Sequence, residues 1–197
     1  MKTCKVEGCN NKYHAKGYCS KHYRQMRDFG EIRRTRFDSN EIIEYEDHAE
    51  IVLYNKHCEE IGRTLIDLDD VDKARSYKWG ITKGYAQSSK GILLHRLIMN
   101  PGDDMVVDHI NHDKLDNRKD NLRICSTRQN TMNQNVSKNS TSGITGVTWD
   151  KTNGKWMAYI KVNYRQITLG RFTNLDDAIQ ARMDAEIEYF GEYRNER

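Results

Sequence analysis

The stretch from Asp108 to Asn130 limits the possible folds of this chain more than any other segment. The apolar run from Met105 to Val107 predicts a strand that leads into it, and Leu122 to Cys125 predicts a second short strand after a polar connection. A helix is compatible with the sequence from Thr127 to Asn135. A strand, a loop, a strand and a helix can bring one histidine, one carboxylate and one amide around a single hard cation.

The polar residues of this stretch suit the hydrolysis of a phosphodiester. Because water is a poor nucleophile and the leaving alkoxide carries charge, such a site needs a proton acceptor near neutral pH and an oxygen-ligated metal. His109 offers the acceptor, and Asp108 and Asn130 offer oxygens for Mg²⁺ or Mn²⁺. The segment from Asn111 to Asn121 is by itself equally typical of a solvated loop with Asx turns. The combined spacing favours a nuclease site.

The same residues carry a family resemblance. Asp108-His109, Asn121 and Asn130 resemble the HNH nuclease motif in its His-Asn-Asn form, which occurs in phage and intron-encoded homing endonucleases. Leu94-His95-Arg96 and the run from Asn117 to Arg123 also match that family. The third motif position is an asparagine where many relatives have a histidine.

The resemblance, which covers residues 40–135, implies a role for each matched residue. His109 would be the general base, and Asp108 and Asn130 would be the ligands of the catalytic metal. Asn121 would brace the His109 loop through hydrogen bonds. Arg96 would either reach a phosphate or make a packing or salt-bridge contact.

The other histidines and cysteines of this region have no expected part in the chemistry. His112 is expected to be a loop residue, and His48 and His57 are expected at the surface. Cys58 and Cys125 stand alone in the sequence, so we expect both to be packing residues.

Composition favours several small domains over one large core, because only 37% of the 197 residues are hydrophobic and 31% are charged. The chain has no apolar run of membrane-spanning length and no expected signal peptide, which predicts an intracellular, cytoplasmic protein. The net charge of +3 is small, but the charges are unevenly distributed. Residues 1–37 contain ten Lys and Arg residues and only three acidic residues. Residues 38–75 reverse this balance, so we expect only some faces of the protein to meet phosphate.

The N-terminal segment has the ligand types and close pairing of a structural zinc site. Cys4, Cys9, Cys19 and His22 supply three thiolates and one imidazole, and His14 could replace one ligand. The odd count of five cysteines also suits metal ligation better than a disulfide framework. A set of free cytosolic thiols is the alternative. The segment resembles small zinc-finger modules that accompany phage nucleases.

A basic helix is predicted from Ser20 to Asp28, ending near Gly30. Six cations lie on or after this helix, namely Lys21, Arg24, Arg27, Arg33, Arg34 and Arg36. They predict an arm that contacts phosphate, with a merely solvated charge run as the alternative.

The segment between the basic arm and the motif predicts a scaffold of short elements. Glu41 to Tyr54 alternates well enough for two strands, and Thr64 to Leu68 predicts a third. Asp69 to Tyr77 predicts a short helix, while Trp79 to Ile81 and Gly84 to Gln87 predict a hairpin.

The C-terminal third predicts a separate domain after a polar linker at residues 136–142. Ile144 to Trp149, Lys155 to Val162 and Gln166 to Phe172 are strand-like and are separated by turn residues. On the middle strand, alternate residues from Trp156 to Val162 form the expected core face.

A capped helix is predicted to follow Asn174 and to cover this core face with Ile179, Met183, Ile187 and Phe190. Residues 142–193 resemble the AP-two/ERF (Apetala-type) DNA-binding domain, which reads the major groove with its sheet. The positions that the resemblance matches to DNA contact are Thr148, Lys155, Tyr159, Lys161, Gln166 and Thr168, with Arg165 and Arg171 nearby.

Together, these patterns predict an α+β protein, and the resemblance to HNH nucleases implies a ββα-metal (His-Me finger) nuclease core, flanked by a zinc module and by a three-stranded sheet with one helix. The expected domains are residues 1–37, 38–135 and 143–197. The expected function is site-directed cleavage of double-stranded DNA by a monomer that uses Mg²⁺ or Mn²⁺ at the nuclease site and Zn²⁺ at the N-terminal module. No membrane or small-molecule substrate is expected. The alternative is a regulator that binds DNA with the same modules without cutting it.

Overall fold

The computed structural model describes residues 2–6, 8–133, 136 and 140–195. It contains helices and strands in alternation, which confirms the mixed α and β class. The chain divides into two compact units, Met1–Ser39 with Tyr54–Ile61 and Asn40–Leu53 with Gly62–Arg197. The domain boundaries expected from the sequence stay a prediction.

The first unit contains the helix α1, Ser20–Phe29. It ends at Gly30, whose φ of 74° is the left-handed conformation that glycine adopts without steric cost. The Gly30 N–H donates to the Met26 carbonyl, which closes the last turn. The predicted basic helix is therefore present with the predicted end.

Short strands and helices precede the nuclease motif, and most of their residues belong to the second unit. Their bounds are β1 Ile42–Glu44, β2 Ala49–Tyr54, β3 Glu60–Ile66, α2 Val71–Arg75, β4 Trp79–Thr82, β5 Tyr85–Ser88 and α3 Leu94–Met99. The strands β1, β2 and β3 form one sheet in that order, and β4 pairs with β5. Ile51, Leu53, Ile66 and Leu94 are completely buried in the core that these elements enclose.

The motif itself forms a hairpin followed by a helix. Strand β6, Met105–His109, pairs antiparallel with β7, Leu122–Ser126, and α4, Thr127–Asn130, follows at once. Ser126 begins α4 with a capping box, because its side chain accepts from the Gln129 N–H while the Gln129 side chain accepts from the Ser126 N–H. A 3-10 turn at Thr131–Asn133 extends the helix. The last two residues of the predicted helix, 134 and 135, lie outside the described residues.

The C-terminal part forms a three-stranded sheet and one long helix. Strands β8, Val147–Asp150, and β10, Arg165–Phe172, both pair with the central strand β9, Lys155–Val162. Strand β8 begins later than predicted because residues 144–147 form a turn, in which the Val147 N–H approaches the Ile144 carbonyl. Ala158 and Ile160 are completely buried on the predicted core face of β9.

The helix α5, Leu175–Phe190, covers this sheet with a different face from the predicted one. Met183 and Ile187 are 41% and 59% exposed, so the prediction that they face the core was wrong. Small alanines bring the helix close to the sheet, and a buried ion pair between Arg182 and Glu186, 2.9 Å apart, occupies the space beside them. The Arg182 guanidinium also donates to the Tyr159 carbonyl at 2.8 Å, which satisfies both the buried cation and a carbonyl of the central strand.

Candidate functional site

The hairpin of β6 and β7 places Asp108 and His109 side by side at its inner end. Asp108 lies opposite Arg123, and His109 lies opposite Leu122. Both side chains of the predicted site are buried, at 7% exposure for Asp108 and 5% for His109. The strand pairing therefore sets the place of both groups before any ligand binds.

The Asp108 carboxylate is held through one of its two oxygens. Arg123 donates to Oδ2 from Nε at 2.9 Å and from Nη2 at 2.7 Å, and Asn133 donates to the same oxygen from Nδ2 at 3.0 Å. The other oxygen, Oδ1, accepts no hydrogen bond from the described residues. It is therefore the Asp108 oxygen that a cation could use. Sequence reasoning missed both partners, although the register of a predicted hairpin would have placed Arg123 opposite Asp108.

Two asparagines lie near the end of α4, and only one contacts the Asp108–His109 pair. Asn130, the predicted metal ligand, is half-buried, and its side chain makes no hydrogen bond with the described residues. Asn133 is buried and also donates to the backbone carbonyls of His109 and Ile110, at 3.2 and 3.3 Å. Its own side-chain oxygen is buried and has no hydrogen-bond partner among the described residues. The structure thus adds Asn133 to the residues that support the site.

The His109 ring is buried among aromatic neighbours. The His95 ring meets it edge to face, with 5.0 Å between ring centroids, and the Tyr85 centroid is 5.9 Å away. Burial lowers the pKa of His109, while the hydrogen bond with Asn117 and the charge of Asp108 act in the opposite direction. Burial, then His109 and Arg96, lowers the pKa of His95 to about 4. Both rings are therefore neutral at neutral pH, as a proton acceptor must be.

The loop between β6 and β7 is held together by hydrogen bonds from its own polar side chains. The Asn121 side chain accepts from the Asn111 N–H at 2.9 Å and donates to the Asp116 carbonyl at 2.8 Å. Arg118 makes two hydrogen bonds of 2.8 Å to the Asp116 carboxylate, and its guanidinium is the main cause that lowers the pKa of that group. His112 is in this loop, as expected, with a positive φ of 65°.

Arg96 makes a structural contact within the second unit. Its Nη1 donates to the Met105 carbonyl at 3.2 Å, at the start of β6. This is a packing role of the kind that the sequence left open beside a phosphate contact.

Comparison with known proteins finds a family match for the region that contains Asp108 and His109. The family model of the HNH endonuclease matches residues 93–132, which run from the start of α3 to the end of the motif. Residues 93–132 are thus similar to the HNH endonuclease family.

Two viral proteins are similar to parts of this chain. One is an uncharacterized HNH endonuclease of Acanthamoeba polyphaga mimivirus, 36% identical over 85 residues, which are 38% of this chain and 45% of that protein. The other is Protein 3.8 of Escherichia phage T7, 32% identical over 60 residues, which are 30% of this chain and 50% of that protein. This chain thus spans half or less of the relatives it matches. No solved structure matches it significantly.

The N-terminal module of this protein gathers the four predicted zinc ligands. The ligand atoms of Cys4, Cys9, Cys19 and His22 all lie within 4.8 Å of one another. The Cys4 sulfur is 3.2 Å from His22 Nδ1, and the Cys9 and Cys19 sulfurs are 4.0 Å apart. Sulfurs on a tetrahedral zinc with bonds of about 2.3 Å stand about 3.8 Å apart, so the cluster has the size that zinc requires.

The lowered pKa of Cys4 and the exposed position of His14 agree with zinc ligation by Cys4, Cys9, Cys19 and His22. Burial raises the pKa of the Cys4 thiol, but the hydrogen bond with His22 and the nearby backbone N–H groups outweigh it and bring the value to about 6. His14 is exposed and stacks edge-on against the Tyr23 ring, so it is not one of the four gathered ligands.

The open face of the C-terminal sheet collects most of the residues matched to DNA contact. Lys161 pairs with Gln166, and Tyr159 pairs with Thr168, so their side chains form cross-strand neighbours on one face. Thr148, Lys155 and Arg171 fall on the same face by register. The Arg171 guanidinium lies 2.9 Å from the Asp150 carboxylate and lowers its pKa to about 2.

The tip of the β9–β10 hairpin adds a residue that sequence reasoning missed. Asn163 and Tyr164 form a two-residue turn in which both have positive φ, 53° and 62°. Tyr164 is completely exposed, and Arg165 follows it as the exposed first residue of β10. An aromatic ring in this conformation and position has no packing role among the described residues.

The described residues include no helix long and apolar enough to cross a membrane.

Proposed function

We propose that this protein is a homing-type DNA endonuclease in which His109 accepts the proton of the attacking water. The observation that carries the proposal is the buried pair of Asp108 and His109, within residues that match the HNH endonuclease family. A buried neutral imidazole beside a carboxylate with one uncommitted oxygen provides a proton acceptor and a cation ligand within one short hairpin. The phage and mimivirus relatives support a viral setting.

The donor set fits a hard divalent cation. Asp108 Oδ1 accepts no hydrogen bond from the described residues, and the Asn130 amide oxygen is likewise uncommitted. We assign Asp108 and Asn130 as the residues that would hold Mg²⁺ or Mn²⁺, since carboxylate and amide oxygens are the ligands such ions prefer. When bound, the ion supplies positive charge at the scissile phosphate. Asn121 keeps the His109 loop in place, and the aromatic walls of Tyr85 and His95 limit bulk water around the base.

We assign positioning of the DNA to the other two modules. The zinc cluster would hold the N-terminal module together, and the basic residues on and after α1 would contact phosphate. The C-terminal sheet would lie in a groove of the duplex with the face that carries Tyr159, Lys161 and Gln166. This is the Apetala-type interaction that the sequence predicts, and it makes target choice a property of the flanking modules.

A plasmid assay separates this proposal from a regulator that binds DNA without cutting it. Supercoiled plasmid with candidate target DNA is incubated with the protein with and without Mg²⁺, and nicked and linear products are measured. We expect metal-dependent cleavage that His109→Ala abolishes, with DNA affinity within a few-fold of wild type because a neutral imidazole adds little to phosphate binding.

The matched control is His57→Ala, which removes an exposed histidine outside the site and should cleave normally. Cleavage by His109→Ala at the wild-type rate would show that the general base is elsewhere. Tight binding without cleavage by the wild-type protein would favour the regulator.

A further inference from the structure

A line of three buried polar side chains connects β3 to the His109 ring. Thr64 on β3 and Asn117 in the motif loop are both completely buried. Asn117 Nδ2 lies 2.7 Å from Thr64 Oγ1, and Asn117 Oδ1 lies 3.3 Å from His109 Nε2. Thr64 Oγ1 is also 2.7 Å from the Leu115 carbonyl oxygen. Thr64 lies outside the residues that match the nuclease family.

The direction of these hydrogen bonds follows from the Leu115 carbonyl, with which Thr64 makes its other hydrogen bond. A carbonyl oxygen only accepts, so the single hydroxyl proton of Thr64 goes to Leu115. Toward Asn117, Thr64 can then only accept, which requires the NH₂ end of the amide to face it. The Asn117 oxygen therefore faces His109, and because this oxygen only accepts, His109 Nε2 must carry the ring proton.

The backbone holds the same residues in register. The Leu65 N–H donates to the Leu115 carbonyl at 2.8 Å, and the Asn117 N–H donates to the Leu65 carbonyl at 2.9 Å. These bonds join the end of β3 to the motif loop. The side-chain line thus lies beside main-chain hydrogen bonds of Leu65, which follows Thr64, and of Asn117.

We propose that Thr64 is a positioning residue for DNA cleavage: acting through Asn117, it holds the neutral His109 ring with the proton on Nε2 and leaves Nδ1 as the basic nitrogen. The inference rests on the proposed function, in which His109 accepts a proton. Without the Thr64 hydroxyl, the buried Asn117 NH₂ group has lost its acceptor. Rotation of the amide would then present that NH₂ group to His109 Nε2 and transfer the ring proton to Nδ1, the nitrogen that must stay free.

The test compares Thr64→Val, which keeps the side-chain shape, with Thr64→Ser, which restores the hydroxyl. The ring nitrogens of His109 are observed by ¹⁵N NMR under conditions where the ring is neutral, and His109→Ala assigns the signals. We expect Nε2–H in wild type and in Thr64→Ser, and a shift toward Nδ1–H in Thr64→Val. Single-turnover cleavage by Thr64→Val should fall at least about tenfold, within the contribution of a general base. DNA affinity should stay within about twofold of wild type, because the completely buried Thr64 side chain cannot contact DNA.

Several outcomes would overturn the inference. A wild-type ring protonated on Nδ1 in a protein that cleaves DNA would exclude the line of hydrogen bonds while leaving the proposed function intact. Unchanged NMR signals and cleavage in Thr64→Val would also exclude it. A ring protonated on Nε2 in a protein that cannot cleave DNA would remove the role of Thr64 together with the proposed function.

A second variant covers the case in which Thr64→Val does not fold. In Asn117→Asp, both side-chain oxygens only accept, so the Thr64 hydroxyl would have to turn from the Leu115 carbonyl toward one of them, while the other would accept from His109 Nε2. This variant should therefore keep the proton on Nε2, and a proton on Nδ1 in it would contradict the inference.

Discussion

Tyr164 at the tip of the β9–β10 hairpin should oppose stability and favour DNA binding, so Tyr164→Gly should change the two in opposite directions. Its φ of 62° places a residue with a Cβ in the left-handed region, which costs about 1–2 kcal/mol. The side chain is completely exposed, so its removal loses no buried area. Glycine also gives the unfolded chain more conformational entropy, which offsets about 0.4–1 kcal/mol of the stability gained by removing this strain. The net gain should be about 0.5–1 kcal/mol, which raises Tm by about 1–4 °C in a protein of this size.

DNA affinity should fall in the same variant. Tyr164 lies in the turn at the end of the strands that carry Lys161 and Gln166, where an exposed ring can contact a sugar or base. We expect an affinity loss of about three- to tenfold, which corresponds to about 0.7–1.4 kcal/mol. Thermal unfolding and DNA binding at one fixed salt concentration are measured on the same preparation.

Asn163→Gly is the matched control. It changes the neighbouring residue of the same turn, whose asparagine already tolerates the left-handed region, and it keeps the Tyr164 ring. It should bind DNA like wild type. A lower Tm for Tyr164→Gly would refute the strain argument, and equal DNA affinity of both variants would refute the contact.

Three further predictions concern other parts of the chain. Cys19→Ser should lose the zinc and unfold the N-terminal module, which elemental analysis and protease sensitivity would check; zinc-free but folded wild-type protein would contradict it. Replacing both Lys155 and Lys161 by Gln should lower the slope of log affinity against log salt by about 1.8, at about 0.9 for each phosphate contact, and an unchanged slope would remove the sheet from the interface. Asp70 is buried between Lys73 and Lys119, each 2.7 Å away; burial raises its pKa, but the two ammonium groups outweigh that effect and lower it. Its stabilisation is therefore present above the unfolded-state pKa of about 3.9 and is lost as pH falls through the lower folded-state value, so Asp70→Asn should weaken the pH dependence of urea unfolding below about pH 4.

Local patterns in the sequence were sufficient for many elements of this protein. The period of two placed Ala158 and Ile160 on the buried face of β9, because alternate side chains of a strand must point to opposite sides. Gly30 marked the end of α1, because only glycine enters the left-handed region without cost. The spacing of the N-terminal cysteines and His22 indicated that these four ligands come together, because they lie within one short segment of the chain.

Only the tertiary structure determined which residues from distant parts of the chain contact one another. Helical spacing favoured Met183 and Ile187 as core residues, but the close approach allowed by small alanines and the buried pair of Arg182 and Glu186 turned another face of α5 to the sheet. Thr64 became a partner of the motif loop only through the pairing of β3 with residues 115–117. Such contacts join residues far apart in the chain, and their energy depends on burial and on hydrogen-bond direction, which no local periodicity encodes.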